Sequence, residues 1–140
     1  MSVDFFDSNV FIYLFDTTDT RKRELAFNLV NRGLIDGRVC ISHQVVQETL
    51  NVMVRKLPKP MAADTAQTFL QHTLVPLWRV MPSAALYQRG LALQARWKFS
   101  FYDSMIVAAA LEAGCKRLLS EDLQHGQRIE GMRIENPFKS

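Results

Sequence analysis

Short apolar runs alternating with longer, helix-periodic stretches constrain the fold of this chain more than any other feature. Residues 3–6 (VDFF), 38–42 (RVCIS), 74–80 (LVPLWRV), 116–120 (KRLLS) and 132–136 (MRIEN) have the length and apolar content of β-strands. Pro76 weakens the third run or assigns it to a sheet edge, because proline donates nothing to a ladder. Between the runs, residues 18–37 carry Thr20 as a candidate N-cap, an apolar stripe through Leu25 and Leu29 that continues to Arg32 or Gly33, and Gly37 past the end. Residues 42–60 open on Ser42 as a cap, space Val45, Thr49, Val52 and Met53 helically, and stop at Pro58. Residues 60–73 and 82–99 each begin with a proline suited to a first turn. Residues 101–117 are apolar nearly all round from Met105 to Leu111 and end at Gly114, the pattern of a helix buried on most sides. Such alternation predicts βαβ units, a parallel sheet and helices on both faces, hence an α/β fold. In open sheets of this kind the ligand crevice lies beyond the carboxyl ends of the strands, so chemistry is expected there.

At 140 residues the chain is long enough to bury one ordinary core and gives no reason for two, so residues 1–140 are read as one domain. Hydrophobic residues at 48% and charged residues at 22% exclude the disordered and collagen-like classes. The N-terminus lacks the basic start and apolar core of a secretory signal. Asp4, Asp7 and Asp16 also interrupt its apolar stretch well short of the ~20 residues a membrane span needs. The expectation is a cytoplasmic protein with no membrane partner. Cys40 and Cys115 lie far apart in the chain with no CxxC pairing, which favours two reduced, buried thiols over a zinc knuckle or a disulfide framework. A net charge of +3 and a pI of about 9.1 favour an acidic partner such as nucleic acid without demanding one.

Against this background the acids stand out. Asp7 sits between two of the most apolar runs, in DFFDSNVFIYLF, where burying a carboxylate costs several kcal/mol unless something positive pairs with it. Asp7 follows the first strand directly and Asp122 follows the fourth, so both reach the carboxyl edge of the sheet. Asp103 opens the buried helix among Phe101, Tyr102 and Met105, and Glu48 lies in the helix after strand two among Val45, Val46, Leu50 and Val52. Each has an ordinary structural role available: Asp7 as a helix cap, Asp103 as a first-turn acid, Asp122 as a turn former, Glu48 as a half-exposed side chain. Brought together, however, four carboxylates repel and raise one another's pKa unless cations neutralise them. An all-oxygen set suits Mg²⁺ or Mn²⁺ rather than zinc, whose usual His and Cys ligands are absent at suitable spacing. A water on such an ion, or a pair of ions about 4 Å apart, is a recurring device for phosphodiester hydrolysis.

With those residues in this order, the chain resembles the PIN-domain ribonucleases and in size is similar to the VapC-type toxins of bacterial toxin–antitoxin pairs. The resemblance covers nearly the whole chain. It rests on Asp7, Ser8 and Asn9 at the end of strand one, Glu48 after strand two, Asp103 in FYDSMIVAAAL, and Ser120 and Asp122 after strand four. It implies a three-layer α/β/α sandwich around a mostly parallel sheet, and metal-dependent cleavage of RNA leaving a 5′-phosphate and a 3′-hydroxyl. It also implies a homodimer and a small antitoxin lying over the active-site groove. Asp7, Glu48, Asp103 and Asp122 would then be the catalytic metal ligands for Mg²⁺ or Mn²⁺, with Asn9 and Ser120 hydrogen-bonding behind them. In one departure from the family's pattern, Gln124 occupies a place where many members carry a further acid, which bears on a second metal. Glu121, adjacent to Asp122, is read as a spare acid and not a ligand.

Other polar residues receive smaller roles. His43, His72 and His125 are scattered, with His125 the one near Asp122; Arg21, Lys22 and Arg23 read as a solvated helix face. Arg55, Lys56, Arg96 and Lys98 end helices and are candidates for contact with RNA phosphates. Phe11, Tyr13 and Phe15 continue an apolar helical stretch and are assigned to the core or a dimer surface. Two other readings remain open. A phosphatase of the haloacid dehalogenase type also places an Asp after strand one, but its chemistry wants a second Asp where this chain has Asn9. A non-catalytic RNA- or protein-binding module would keep the fold without using the acids.

Overall fold

A computed structural model describes residues 2–139 of the chain. Six strands form one sheet in the order β3-β2-β1-β4-β6-β5: β1 Asp4–Phe6, β2 Val39–Ser42, β3 Trp78–Val80, β4 Arg117–Leu119, β5 Arg128–Ile129 and β6 Met132–Glu135. Every pairing is parallel except β5–β6, which is antiparallel. The register through the centre runs Asp4 to Val39 on one side of β1 and Asp4 to Arg117 on the other. Because the chain leaves β1 for β2 and later returns on the opposite side as β4, the order reverses between β1 and β4. That reversal opens the crevice in which α/β sheets bind ligands.

Six helices connect the strands: α1 Ser8–Ile12, α2 Thr20–Asp36, α3 His43–Asn51, α4 Ala63–Phe69, α5 Ala84–Trp97 and α6 Phe101–Glu112. α6 is the helix whose pattern is apolar all round, and Ser104 through Ala110 are all buried, so it forms much of the core beneath the sheet. Phe5 and Phe6 are both buried although they point to opposite faces of β1, which shows the sheet covered on both sides. α2 approaches so closely that a Cβ on Gly33 would stand 2.7 Å from Val39 Cγ2, so only glycine fits there. Among the described residues no helix is long and apolar enough to cross a membrane.

Several local expectations are corrected. The run 74–80 is a strand only from Trp78. Leu70–Leu74 and Val75–Leu77 prolong α4 as a wide and then a tight helical turn that contains Pro76, leaving β3 short and at the edge. Asp19, not Thr20, caps α2, its side chain accepting from Lys22 N. Pro60 and Pro82 precede their helices, which begin at Ala63 and Ala84; Ser83 caps the latter by accepting from Leu86 N at 3.0 Å. Ser42 occupies the cap of α3 but makes no capping bond, and its Oγ is buried without a partner. Strand β5 was not expected at all. It pairs back on β6 through Glu130 and Gly131, both at positive φ (49° and 86°), the backbone a two-residue hairpin turn demands. Cys40 and Cys115 are buried and unbridged, as expected, although their sulfurs lie 3.3 Å apart.

Candidate active site at the sheet reversal

Asp7 follows β1 immediately and caps α1, its Oδ1 accepting from Ser8 N at 2.7 Å. Its backbone N–H donates to Leu119 O at 3.0 Å, so the ends of β1 and β4 are tied where the order reverses. The second carboxylate oxygen, Oδ2, accepts from Ser120 Oγ at 2.7 Å. Ser120 Oγ in turn accepts from Asp122 N at 3.1 Å and Asn9 Nδ2 at 3.4 Å, which exhausts what a hydroxyl can do. Asn9 Nδ2 also reaches Asp122 Oδ2 at 3.3 Å, while Asn9 Oδ1 accepts from Glu121 N at 3.3 Å. Ser120 and Asn9 thus hydrogen-bond to Asp7 and Asp122 respectively.

Glu48 arrives from α3 and Asp103 from the first turn of α6. Gln44, one helical turn before Glu48, donates through Nε2 to Glu48 Oε2 at 3.3 Å and to Tyr102 O at 3.1 Å, linking the two elements. Asp103 sits in the turn capped by Ser100, whose Oγ accepts from Asp103 N at 3.1 Å. Neither Gln44 nor Ser100 was singled out from sequence; an amide four residues before an acid on one helix was the available signal for the first.

The charges of these acids are felt across the crevice. Burial pushes the Asp7 carboxyl up to about 7; its hydrogen bonds from Ser120 and Ser8 oppose the rise, and the Glu48 and Asp122 carboxylates add to it. Burial also raises Asp103, with Asp122 contributing. Asp7 thus feels the charges of Glu48 and Asp122, and Asp103 that of Asp122. No ion pair among the described residues engages any of the four. Yet, among the described residues, no three His, Cys, Asp or Glu side chains stand close enough to hold an ion as they are. By donor type and by uncompensated charge the set fits a hard divalent cation, with Asp7 the member that lacks a counter-charge most acutely.

The neighbouring residues are less free than their sequence suggested. Lys22 pairs with Glu121 at 2.6 Å, and Arg21 donates to Phe138 O at 2.7 Å, so two of the three basic residues at the start of α2 are engaged. Tyr13 donates to Glu121 Oε1 and packs at a tilt against Phe138, Phe15 packs edge-on against Phe69, and Phe11 is fully buried. His125 Nδ1 accepts from Asn136 N at 3.0 Å, and His43 Nδ1 is buried without a partner. Arg96 and Lys98 end α5, just before the turn that presents Asp103, whereas Arg55 lies in the helical extension of α3, about 10 Å of rise beyond Glu48, with Lys56 next to it. A groove of about 660 Å³ lies away from the acids and is lined by Leu14, Phe27, Leu34 and Phe69 among others.

A family model described as the PIN domain matches residues 5–128. The fold is similar to a chain of a toxin–antitoxin complex from Klebsiella pneumoniae, with a TM-score of 0.69, 20% identity, and 98% of this chain and 99% of that one covered. It is also similar to a chain of a DNA-bound VapBC complex from Salmonella typhimurium (TM-score 0.66, 22% identity, 98% and 99% covered). A third is VapC20 from Mycobacterium tuberculosis, described as a toxin that cleaves the sarcin–ricin loop (TM-score 0.60, 22% identity, 85% and 91% covered). No curated protein sequence matches significantly. At these identities the structural likenesses speak for the fold.

Proposed function

The chain belongs to the PIN-domain family, and on that footing we propose that it is a divalent-metal-dependent endoribonuclease and the toxin of a toxin–antitoxin pair. One observation carries the chemical part: a nearly fully buried carboxylate, Asp7, at the sheet reversal, facing other acids and lacking any cation. The fold likeness to VapC toxins and to chains of toxin–antitoxin complexes supports the biological part.

Asp7, Asp103, Glu48 and Asp122 are the residues that would hold Mg²⁺ or Mn²⁺. When bound, such an ion activates water for attack on the scissile phosphorus and stabilises the charge that develops there. The chain supplies the rest. Ser8 N and Ser120 Oγ each occupy one oxygen of Asp7, fixing the plane of its carboxylate and favouring the ionised form a ligand must have. Asn9 holds Asp122, and Gln44 holds Glu48, so each acid rotates little. Arg96 and Lys98, at the end of α5, offer positive charge to the phosphates flanking the cut. Asn9 spends its amide on Ser120, Asp122 and the Glu121 backbone, which leaves no general acid at the place a dehalogenase-type phosphatase needs one. A small antitoxin, and a second copy of the chain, are the proposed protein partners.

The test incubates purified protein with single-stranded RNA, with Mg²⁺ or with chelator, beside an Asp7→Asn variant. Cleavage only by the wild type with metal is expected. Equal cleavage in all samples, or none with metal, overturns the proposal.

A further inference from the structure

Glu121 sits between Ser120, which donates to Asp7, and Asp122, yet its carboxylate is turned to other partners. Lys22 Nζ donates to Glu121 Oε2 at 2.6 Å, Tyr13 OH donates to Oε1, and Lys22 Nζ also donates to Tyr13 OH at 3.1 Å. The Lys22 ammonium lies 4.9 Å from the centre of the Tyr13 ring, whose centroid is 4.7 Å from that of Phe138. The three groups come from α2, the tight turn Tyr13–Phe15 after α1, and the turn after β4, and they close a triangle around one carboxylate. Lys22 and Glu121 are only 24% and 26% exposed, so water and salt screen the pair less than a surface pair. Meanwhile the Glu121 backbone N–H is held by Asn9 Oδ1. The turn carrying Asp122 is therefore gripped on both sides: its backbone by Asn9, its next side chain by Lys22 and Tyr13.

We propose that Lys22 and Tyr13 are positioning residues for the metal-binding acids: by holding Glu121 they set the turn from which Asp122 faces Asp7, and they keep a fifth carboxylate out of the ligand set. The inference rests on the nuclease reading and deepens it. Freed from Lys22, Glu121 would bring an uncompensated charge next to Asp122 and loosen the turn at once. Partners that orient metal ligands characteristically change affinity or activity by 10- to 100-fold when removed.

The experiment measures Mn²⁺ binding by calorimetry, and kcat and KM on single-stranded RNA, for wild type, Lys22→Met, Lys22→Arg, Tyr13→Phe, Glu121→Gln and the Lys22→Met/Glu121→Gln double variant. Melting in chelator is measured alongside. Lys22→Met is expected to weaken Mn²⁺ binding about tenfold and lower kcat with little change in KM. Tyr13→Phe should weaken it a few-fold, and Lys22→Arg should restore most of the loss. In the Glu121→Gln background, Lys22→Met should add less than twofold, because the charge it restrains is gone. Equal Mn²⁺ affinity in all variants, or effects that follow melting temperature and multiply independently in the double variant, would overturn the inference while leaving the nuclease reading intact. Tyr13→Phe, which keeps both charges, decides the matter should Lys22→Met fail to fold. A wild type that binds no Mn²⁺ removes the nuclease reading and this inference together.

Discussion

Replacing Asp7 by asparagine should make the metal-free protein more stable, while a group needed only for structure should do the opposite. The Asp7 carboxyl stands at about 7 in the folded protein, against 3.8 for the free group, with burial the main cause. The folded state therefore keeps a proton that the unfolded chain gives up near pH 4. Stability falls as pH climbs from about 4 to about 7 and levels off above. A rise of roughly three units corresponds to about 4 kcal/mol of strain carried by the ionised form above pH 8. Asparagine removes that strain but brings a mismatch. Ser8 N and Ser120 Oγ both donate to Asp7, and an amide can offer only one oxygen, so one donor meets another at a cost of about 1–2 kcal/mol. The net expectation is a gain of about 2 kcal/mol at pH 8 in chelator, near 7 °C for a chain of this size. At pH 5 the gain should shrink to about zero. Urea or thermal unfolding in chelator at the two pH values measures this, and millimolar Mg²⁺ at pH 8 should raise the wild type alone and close the gap. A variant less stable than wild type at pH 8, or a difference independent of pH, would refute the reasoning.

Ser120→Ala removes the hydroxyl that opposes the rise in Asp7, so the acid limb of the pH–rate profile should move to higher pH and cleavage at pH 7 should fall about tenfold. Gly33→Ala gains helix propensity yet drives a methyl into Val39; the net should be a loss of about 1–2 kcal/mol in urea unfolding, with specific activity unchanged. Lys98 holds a left-handed backbone (φ 61°) as the C-cap of α5, so Lys98→Gly should raise stability by up to about 1 kcal/mol while weakening RNA binding at low salt, as fluorescence anisotropy would report.

The parallel sheet and the buried α6 were legible because strand-length apolar runs alternate with helical ones, and because seven successive residues, Met105 to Leu111, are all apolar. Asp7 and Asp122 were legible as a pair because each lies within three residues of a strand end, and a parallel sheet carries such residues to one edge. Distance in the chain hid what remained. Lys22 reaches Glu121 across 99 residues and Cys40 reaches Cys115 across 75, contacts that no local pattern encodes. Residues 74–77 misled because an apolar stretch with proline suits a closing helical turn as well as an edge strand. The β5–β6 hairpin hid behind Glu130, a residue that adopts positive φ only when its neighbours impose it.

The most direct measurement is a crystal of this protein soaked in Mn²⁺ and read by anomalous scattering. The account predicts a peak beyond the carboxyl ends of β1 and β4, ligated by Asp7 and Asp103 with Glu48 or Asp122 completing the set. No peak there at millimolar Mn²⁺, or an ion bound elsewhere with Asp7 untouched, would contradict it.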